Sequence, residues 1–397
     1  MAIETPYITP RSLSFILSRT INNAHINLVL IFFLIIKRKK ADDLQTTLKG
    51  HPAQMLLSIW TIPTPMDSFG FKVVSADPES KKGVPISVAG QTMVDVQTLL
   101  TDIGCMMLRL ELRLQNEIPE KLKKKFDLNI GGTDAGIGSG PSEGNEYALE
   151  KSLKILCATL DFLGKGAVGS WMTDFFEDDE SRAIIAKDLL NLNDHLDGYV
   201  LEYGSSSKQG RFGGLDREKI VQYTNTDEMV SAAIGVVLRD EVKRNHWNLS
   251  NDKYIVPINF DKNIAPSDIP TFAKAGPVIV VGKVIRNGEG HITSIEKING
   301  CYTIPALKFH SIVTENSDKE LLNHVEAVTG YDAETDVWSL KNDMLGIDIK
   351  KSSWDECIVA FHEYVAFLFD TYCGEDDSFE GEEKEIRDYL LSLLPVV

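Results

Sequence analysis

Apolar and polar positions alternate most regularly in the C-terminal third of the chain, between residues 277 and 349. A period of two is typical of strands with one buried face. Within this block, Asn299-Gly300 favours a two-residue hairpin turn, and the spacing in Ser317-Asp318-Lys319-Glu320 predicts a short capped helix. The predicted strands are residues 278–286, 291–298, 301–309, 324–329, 335–340 and 344–349.

Three strands, a helix and two further strands, followed by a spare edge strand, form an order that small barrels use. We therefore predict a small antiparallel β-barrel at residues 277–351, for which an OB-like topology is one possibility. Other small barrels share this order, so the pairing of the strands stays open at this point.

The preceding part of the chain mixes helical and strand-like segments. Pro266 and Pro270 mark residues 261–276 as a linker, so residues 51–260 are predicted to form an α+β domain. Its predicted helices are residues 91–115, 146–163, 180–196 and 227–244. Its predicted strands are residues 54–62, 69–76, 85–88, 199–203 and 254–260.

The last part of the chain, residues 352–397, is predicted to be an acidic helical tail. It holds 12 Asp and Glu against two Lys and Arg, and the capping box that begins at Ser353 predicts a helix to about residue 372. Such a charge run is typical either of a solvated face or of a docking surface for a basic protein partner. In the second case, Asp376, Asp377 and Glu382 are the candidate contacts.

Residues 1–50 form an atypical N-terminal extension. Residues 28–36 are an unbroken apolar run, but a nine-residue helix spans only about 14 Å of a bilayer core that is roughly 30 Å thick. A buried element or an extension outside the fold is therefore favoured over a membrane anchor. Five separated cysteines without a C-x-x-C pair favour a reduced, cytoplasmic protein.

A glycine-rich segment at residues 131–144 offers two kinds of chemistry. Residues 140–144 match the G-x-S-x-G pattern of a nucleophile elbow, but neither a preceding strand nor a parallel sheet is indicated. Glycines ahead of a helix also suit an anion, with His195 or Asp194 as an acid or base. The candidate ligand-binding residues in this segment are Gly136, Gly138 and Ser142.

Metal-binding patterns are incomplete. His362-Glu363 begins like H-E-x-x-H, but Ala366 occupies the position of the second histidine. Residues 193–198 resemble a calcium loop, yet Gly204 stands where the closing glutamate is needed. We therefore predict neither a metal nor a cofactor.

Aromatic residues on the predicted barrel are further candidates for partner contacts, namely Tyr302, Tyr331 and Trp338. Stacking on such rings is how OB-type barrels hold single-stranded nucleic acid. Residues 276–351, however, contain eight Lys and Arg against 11 Asp and Glu, and phosphate binding needs a basic groove. This balance disfavours nucleic acid as the partner.

These observations favour a non-enzymatic, intracellular binding or adaptor protein that acts through protein–protein contacts. The net charge of −17 argues against a general nucleic-acid binder, and the catalytic patterns are all incomplete. Two alternatives stay open. The chain is an enzyme that binds an anionic small molecule at residues 131–144, or it binds nucleic acid through an OB-like barrel.

Overall fold

The computed structural model describes residues 69–395, with internal gaps at 78, 80–82, 116–117, 131–136, 140–145, 167, 177, 205–208, 225–228, 241–245, 252–253, 263, 275, 287–291 and 375–378. The helices in this part are α1 (Ile86–Leu112), α2 (Glu120–Lys123), α3 (Glu146–Gly164), α4 (Val168–Phe175), α5 (Asp179–His195), α6 (Arg217–Val221), α7 (Ile269–Lys274), α8 (Trp354–Tyr372) and α9 (Glu382–Leu393). A 3₁₀ turn, Lys124–Phe126, follows α2.

The strands form three separate sheets. They are β1 (Phe69–Ser75), β2 (Asn129–Ile130), β3 (Ile137–Ser139), β4 (Tyr199–Gly204), β5 (Gln209–Phe212), β6 (Val230–Arg239), β7 (Trp247–Asn251), β8 (Tyr254–Phe260), β9 (Pro277–Arg286), β10 (Ile292–Thr303), β11 (Ala306–Val313), β12 (Asp318–Asp332), β13 (Val337–Asn342) and β14 (Ile347–Lys351). The first sheet has the order β2-β3-β1-β4-β5 and is antiparallel throughout.

Helix α1 lies at the centre of the helical layer. It packs against α3 and α5, and it also touches β1 and β11. Its buried residues recur every three or four positions, so one broad face of the helix is apolar. They include Val96, Leu99, Leu100, Ile103, Met107 and Leu108.

Five strands, β6 to β10, close into a barrel with the order β10-β8-β7-β6-β9. The pairing of β8 with β10 is parallel, and the other four pairings are antiparallel. Helix α7 lies between β8 and β9 in the chain and places Ile269 in the barrel core. Gly235 permits the closure, because a Cβ there would lie 2.4 Å from the Ser250 carbonyl oxygen.

The third sheet is an antiparallel meander with the order β11-β12-β13-β14. Helix α8 packs across it, and α9 packs on β12 and α8. This sheet shares one apolar core with the first sheet and the helical layer, and that core runs from Phe69 to Leu393. The interior of the barrel forms a second core.

The barrel strands differ from those predicted. Three of them precede residues 261–276 and two follow, whereas β11 to β14 belong to the third sheet. Alternation identifies a strand but does not reveal its partners, since pairing is a long-range property. The model therefore has α+β structure with a closed five-stranded mixed barrel, while the proposed domain limits stay predictions.

Strand β6 was predicted to be a helix, and that prediction was wrong. All five residues from 233 to 237 are buried. Ala233 and Val237 lie in the core of the barrel, whereas Ile234 and Val236 lie in the main core, which the other two sheets share with the helical layer. A strand that is buried on both faces loses the alternation that identifies it.

Three shorter predictions also fail. Residues 317–320 do not begin a helix, since Asp318 is the first residue of strand β12. The Asp318 carboxylate accepts a 2.9 Å hydrogen bond from the Ala148 N–H. Residues 85–88 lead into α1, and Asn299-Gly300 lies inside β10. The predicted strand at residues 54–62 lies outside the described residues. The helices predicted at residues 91–115, 146–163 and 180–196 are confirmed as α1, α3 and α5.

We expect Gly104→Ala to destabilise the protein. A Cβ at Gly104 would lie 2.5 Å from three carbons of the Phe126 ring, and Phe126 is fully buried. Overpacking of this kind costs about 1–3 kcal/mol, which urea denaturation would measure. Gly90→Ala is the matched control on the same helix, because its Cβ meets nothing within 4 Å. Equal stability of the two variants would contradict the packing described here.

Acid should destabilise the fold through His362. This ring is wholly buried, its Nδ1 accepts a 3.2 Å hydrogen bond from the Val313 N–H, and burial lowers its pKa to about 3. The unfolded chain binds the proton near pH 6.5, so stability present above that pH is lost as the pH falls towards 3.

Protonation of His362 should lower the free energy of unfolding by at most about 1.4 kcal/mol per pH unit. His362→Asn removes the titration and should flatten the dependence of unfolding free energy on pH between 6.5 and 4. The measurement is urea denaturation across that range. An unchanged slope in the variant would show that His362 is not the group responsible.

Candidate interaction surface and polar cleft

Helix α8 divides sharply into a buried face and an exposed face. Ser353 caps its N-terminus, since its hydroxyl accepts a 3.3 Å hydrogen bond from the Glu356 N–H. The buried face contains Phe361, Val365 and Phe369, which pack into the main core beneath the third sheet. This burial holds the helix in one orientation.

The opposite face of α8 presents two aromatic rings to solvent. Tyr364 is 41% exposed and Phe367 is 58% exposed, and their ring centroids lie 6.1 Å apart. Glu363 and Asp370 are exposed on either side of them. These four residues share one face because they lie at helical spacings of one, four and seven. We call Glu363, Tyr364, Phe367 and Asp370 the acidic aromatic face.

The helix that carries the acidic aromatic face is itself acidic, and a lysine lies near each end of the face: Lys319 lines a pocket with Asp370, and Lys121 lies near Glu363. Helix α8 contains no Lys or Arg in its sequence. Lys121 donates a 2.7 Å hydrogen bond to Glu315, and this bond is the main reason that the pKa of Lys121 is raised. The nearby carboxylate of Glu363 raises the same pKa further. Large rings surrounded by carboxylates combine apolar area with an attraction for cations, which suits a basic protein segment.

A second group of polar residues lies between α1 and α5. Asp95, Asp102 and Arg109 recur every seven residues on α1, and each of them meets a partner on α5. We call this set the polar seam. Its three pairs are Asp95 with His195, Asp102 with Asp188, and Arg109 with Glu180.

The seam contains an oriented imidazole and a pair of neighbouring carboxyl groups. Buried Asp95 lies 2.6 Å from Nδ1 of His195, whose side chain is 43% exposed. Burial, followed by the hydrogen bond and charge of Asp102, raises the pKa of Asp188 to about 8. At neutral pH, the carboxyl group of Asp188 is therefore largely protonated.

A cleft of about 200 Å³ opens beside the Arg109 half of the polar seam. Its walls come from α1, from the N-terminal turns of α5, and from the segment around α2. Asp102 and Arg109 line it with Cys105, whose pKa is raised to about 11, first by burial and then by the charge of Asp102. The thiol is therefore protonated at neutral pH and is a poor nucleophile.

The acid–base chemistry of the seam is incomplete. None of the hydrogen bonds found among the described residues joins His195 to a hydroxyl or a thiol, so these residues show no nucleophile paired with the histidine. Asp194 forms an ion pair with Arg217, and that hydrogen bond lowers its pKa. Within the described ranges, no group of three or more His, Cys, Asp or Glu is arranged to hold a metal ion.

Several candidate residues from the sequence lie outside the described part of the chain, namely Gly136, Ser142, Asp376 and Asp377. Gly138 lies in β3, opposite Gly70. Glu382 is exposed in the first turn of α9. The glycine-rich segment therefore carries no structural argument for a ligand.

The three aromatic candidates do not form one surface. Tyr302 lies on barrel strand β10, whereas Tyr331 and Trp338 lie on the third sheet. Trp338 belongs to the core, and Tyr331 packs against it with a centroid separation of 4.9 Å and donates a 2.6 Å hydrogen bond to Asp336. Among these rings, Tyr302 and Tyr331 are half-buried.

Sequence reasoning missed both sites, although each left a signal. The acidic aromatic face follows from the helical spacing of Glu363, Tyr364, Phe367 and Asp370 within a helix that was itself predicted. The polar seam follows from charged residues every seven positions along α1. Their partners on α5 could not be assigned, because helix pairing is not visible in local pattern.

No protein-family model, curated protein or solved structure matches this chain. No helix in the described ranges has the length and hydropathy needed to cross a membrane. The inferences below therefore rest on the residues of this chain alone.

Proposed function

We propose that this protein binds a partner protein by docking a basic, amphipathic segment on the acidic aromatic face. The single observation that carries this proposal is the pair of exposed rings, Tyr364 and Phe367, held between Glu363 and Asp370 on a rigidly packed helix. Burial of an aromatic side chain contributes about 1.5–3 kcal/mol, and aromatic anchors often dominate interfaces.

Electrostatics supports a basic rather than an acidic partner. The region from residue 352 onward holds 12 Asp and Glu against two Lys and Arg, and the chain carries a net charge of −17. Exposed ion pairs contribute at most about 1 kcal/mol each, but a field of one sign increases the rate of association. The carboxylates would therefore select and steer the partner, and the two rings would supply most of the affinity.

Site-specific photo-crosslinking in the full chain tests this proposal. We expect p-benzoylphenylalanine at position 367 to form a discrete adduct in native lysate, and sequencing should identify a segment rich in Lys and Arg. The matched control carries the crosslinker at Met344, which is 57% exposed between β13 and β14. Glu363→Lys together with Asp370→Lys should reduce the adduct at position 367 at least fivefold, because it replaces attraction with repulsion.

Glu218→Lys together with Glu334→Lys controls for the change in net charge, because this pair reverses the same number of charges and both residues are exposed away from α8. An adduct to residues 1–68 of the same chain, to a second copy, or to an acidic segment would overturn the proposal. So would an adduct that the charge reversals leave unchanged.

A second candidate function follows from the barrel. If the barrel strands β6 to β10 are numbered 1 to 5, their order around the barrel is 1-2-3-5-4, and strand 4 pairs with strand 1 to close it. Strands 3 and 5 form the one parallel pair, and a helix connects strands 3 and 4. This arrangement supports an OB-type topology, in which strands 2 and 3 form the binding face. Residues 230–303 contain nine Lys and Arg against seven Asp and Glu, so this barrel lacks the acidic balance of residues 276–351.

Binding of single-stranded nucleic acid at β7 and β8 is the corresponding prediction. Fluorescence anisotropy with a labelled 15-nucleotide oligo-dT at low salt should give saturable binding that weakens as salt rises. Ile255→Glu should weaken it at least fivefold by repelling phosphate. Leu322→Glu is the matched control, since Leu322 is 61% exposed on β12, outside the barrel. No saturable binding, or equal effects of the two variants, would exclude this second function.

A further inference from the structure

The cleft beside the polar seam has the dimensions of a site for a small molecule. Its volume of about 200 Å³ exceeds the roughly 30 Å³ that one water occupies, and it is smaller than the roughly 300 Å³ at which pockets for drug-sized ligands begin. Asp102, Cys105, Met106 and Arg109 line it from α1, at spacings that place them on one face of the helix. The cleft is separate from the acidic aromatic face.

Arg109 supplies a cation whose charge is available to a ligand. Its nearest carboxylate, Glu180, lies 3.9 Å away. Both oxygens of Glu180 are already bound by Arg286, at 3.1 Å each. Because Arg286 balances Glu180, the charge of Arg109 is only weakly compensated within the cleft.

Lys123 adds a second cation to the lining. It forms a 2.7 Å ion pair with Glu120, whose side chain is 81% exposed. The Glu120 end of this pair lies in solvent, where an ion pair contributes about 0–1 kcal/mol. Asp102 is the acidic group in the lining, and its contact with Asp188 lies towards the other half of the seam.

Apart from Ser181, the rest of the lining is largely apolar. Met106, Ile184 and Ile185 supply apolar side chains to this lining. Ile185 is buried, whereas Met106 is half-buried and Ile184 is 43% exposed. Methionine adapts its shape to irregular aliphatic groups. An aliphatic chain in the cleft would cover these side chains and remove their apolar area from water.

We propose that this cleft binds a small aliphatic monocarboxylate, with its carboxylate on Arg109 and Lys123 and its chain against Met106 and Ile184. The charged end requires an anion, and the apolar wall requires a chain of several carbons. This site is independent of the proposed docking of a protein partner.

Hexanoate is the probe, and protection of Cys105 from alkylation is the readout, measured by peptide mass spectrometry on the full chain. Saturating hexanoate should slow the alkylation of Cys105 at least fivefold. The half-buried Cys157 and Cys373 are internal controls, because neither lines the cleft. Hexanamide, which lacks the charge, and acetate, which lacks the chain, should each change the rate less than twofold.

Arg109→Gln should raise the half-maximal hexanoate concentration at least tenfold, in line with the loss of a charge-assisted hydrogen bond. Ile184→Glu is a second variant, at an exposed position, that introduces repulsion without disturbing the seam. Arg109→Lys should restore part of the protection. Equal protection by hexanoate and hexanamide, protection that neither Arg109→Gln nor Ile184→Glu weakens, or no protection of Cys105 would each overturn the proposal.

Discussion

The C-terminal end of helix α1 joins the three layers of the protein. Arg113 adopts a left-handed conformation, with a φ of 59°, and its carbonyl oxygen accepts a 2.7 Å hydrogen bond from Nε1 of Trp354 at the start of α8. Two residues later, the Gln115 N–H donates a 2.8 Å hydrogen bond to Asp355, and the Gln115 side chain accepts a 2.7 Å bond from the Ile234 N–H in the barrel. One short segment thus positions the helical layer, the barrel and α8 together.

This junction positions the helices that carry both proposed sites. Helix α8 is attached at its first turn and buried along one face, so its exposed rings have a fixed spacing and orientation. Helix α1 is held at both flanks by α3 and α5, so the polar seam lies between two packed helices, which also form most of the cleft. Sites on packed helices lose little conformational entropy when a ligand binds.

The sequence predicts the elements of this fold better than their arrangement. The long helices α1, α3, α5 and α8 are amphipathic, and their periodicity is visible without any partner. Strand β6 has no such signal, because its two faces enter two different cores. The barrel was therefore assigned to β9–β14, when it contains β6–β10. Local periodicity places Glu363 and Phe367 on one face of a helix. It does not show which helices pack together, so the contact between Asp102 and Asp188 could not be predicted.

The central claim is that α8 buries one face in the core and leaves the other open for a partner. Hydroxyl-radical footprinting of the full chain tests this directly, because four aromatic residues of the same helix report on the two faces. We predict rapid oxidation of Tyr364 and Phe367, and protection of Phe361 and Phe369, which are 0% and 2% exposed. If Phe367 were as protected as Phe361, another part of the chain or a second copy would already cover this face, and the account would be wrong.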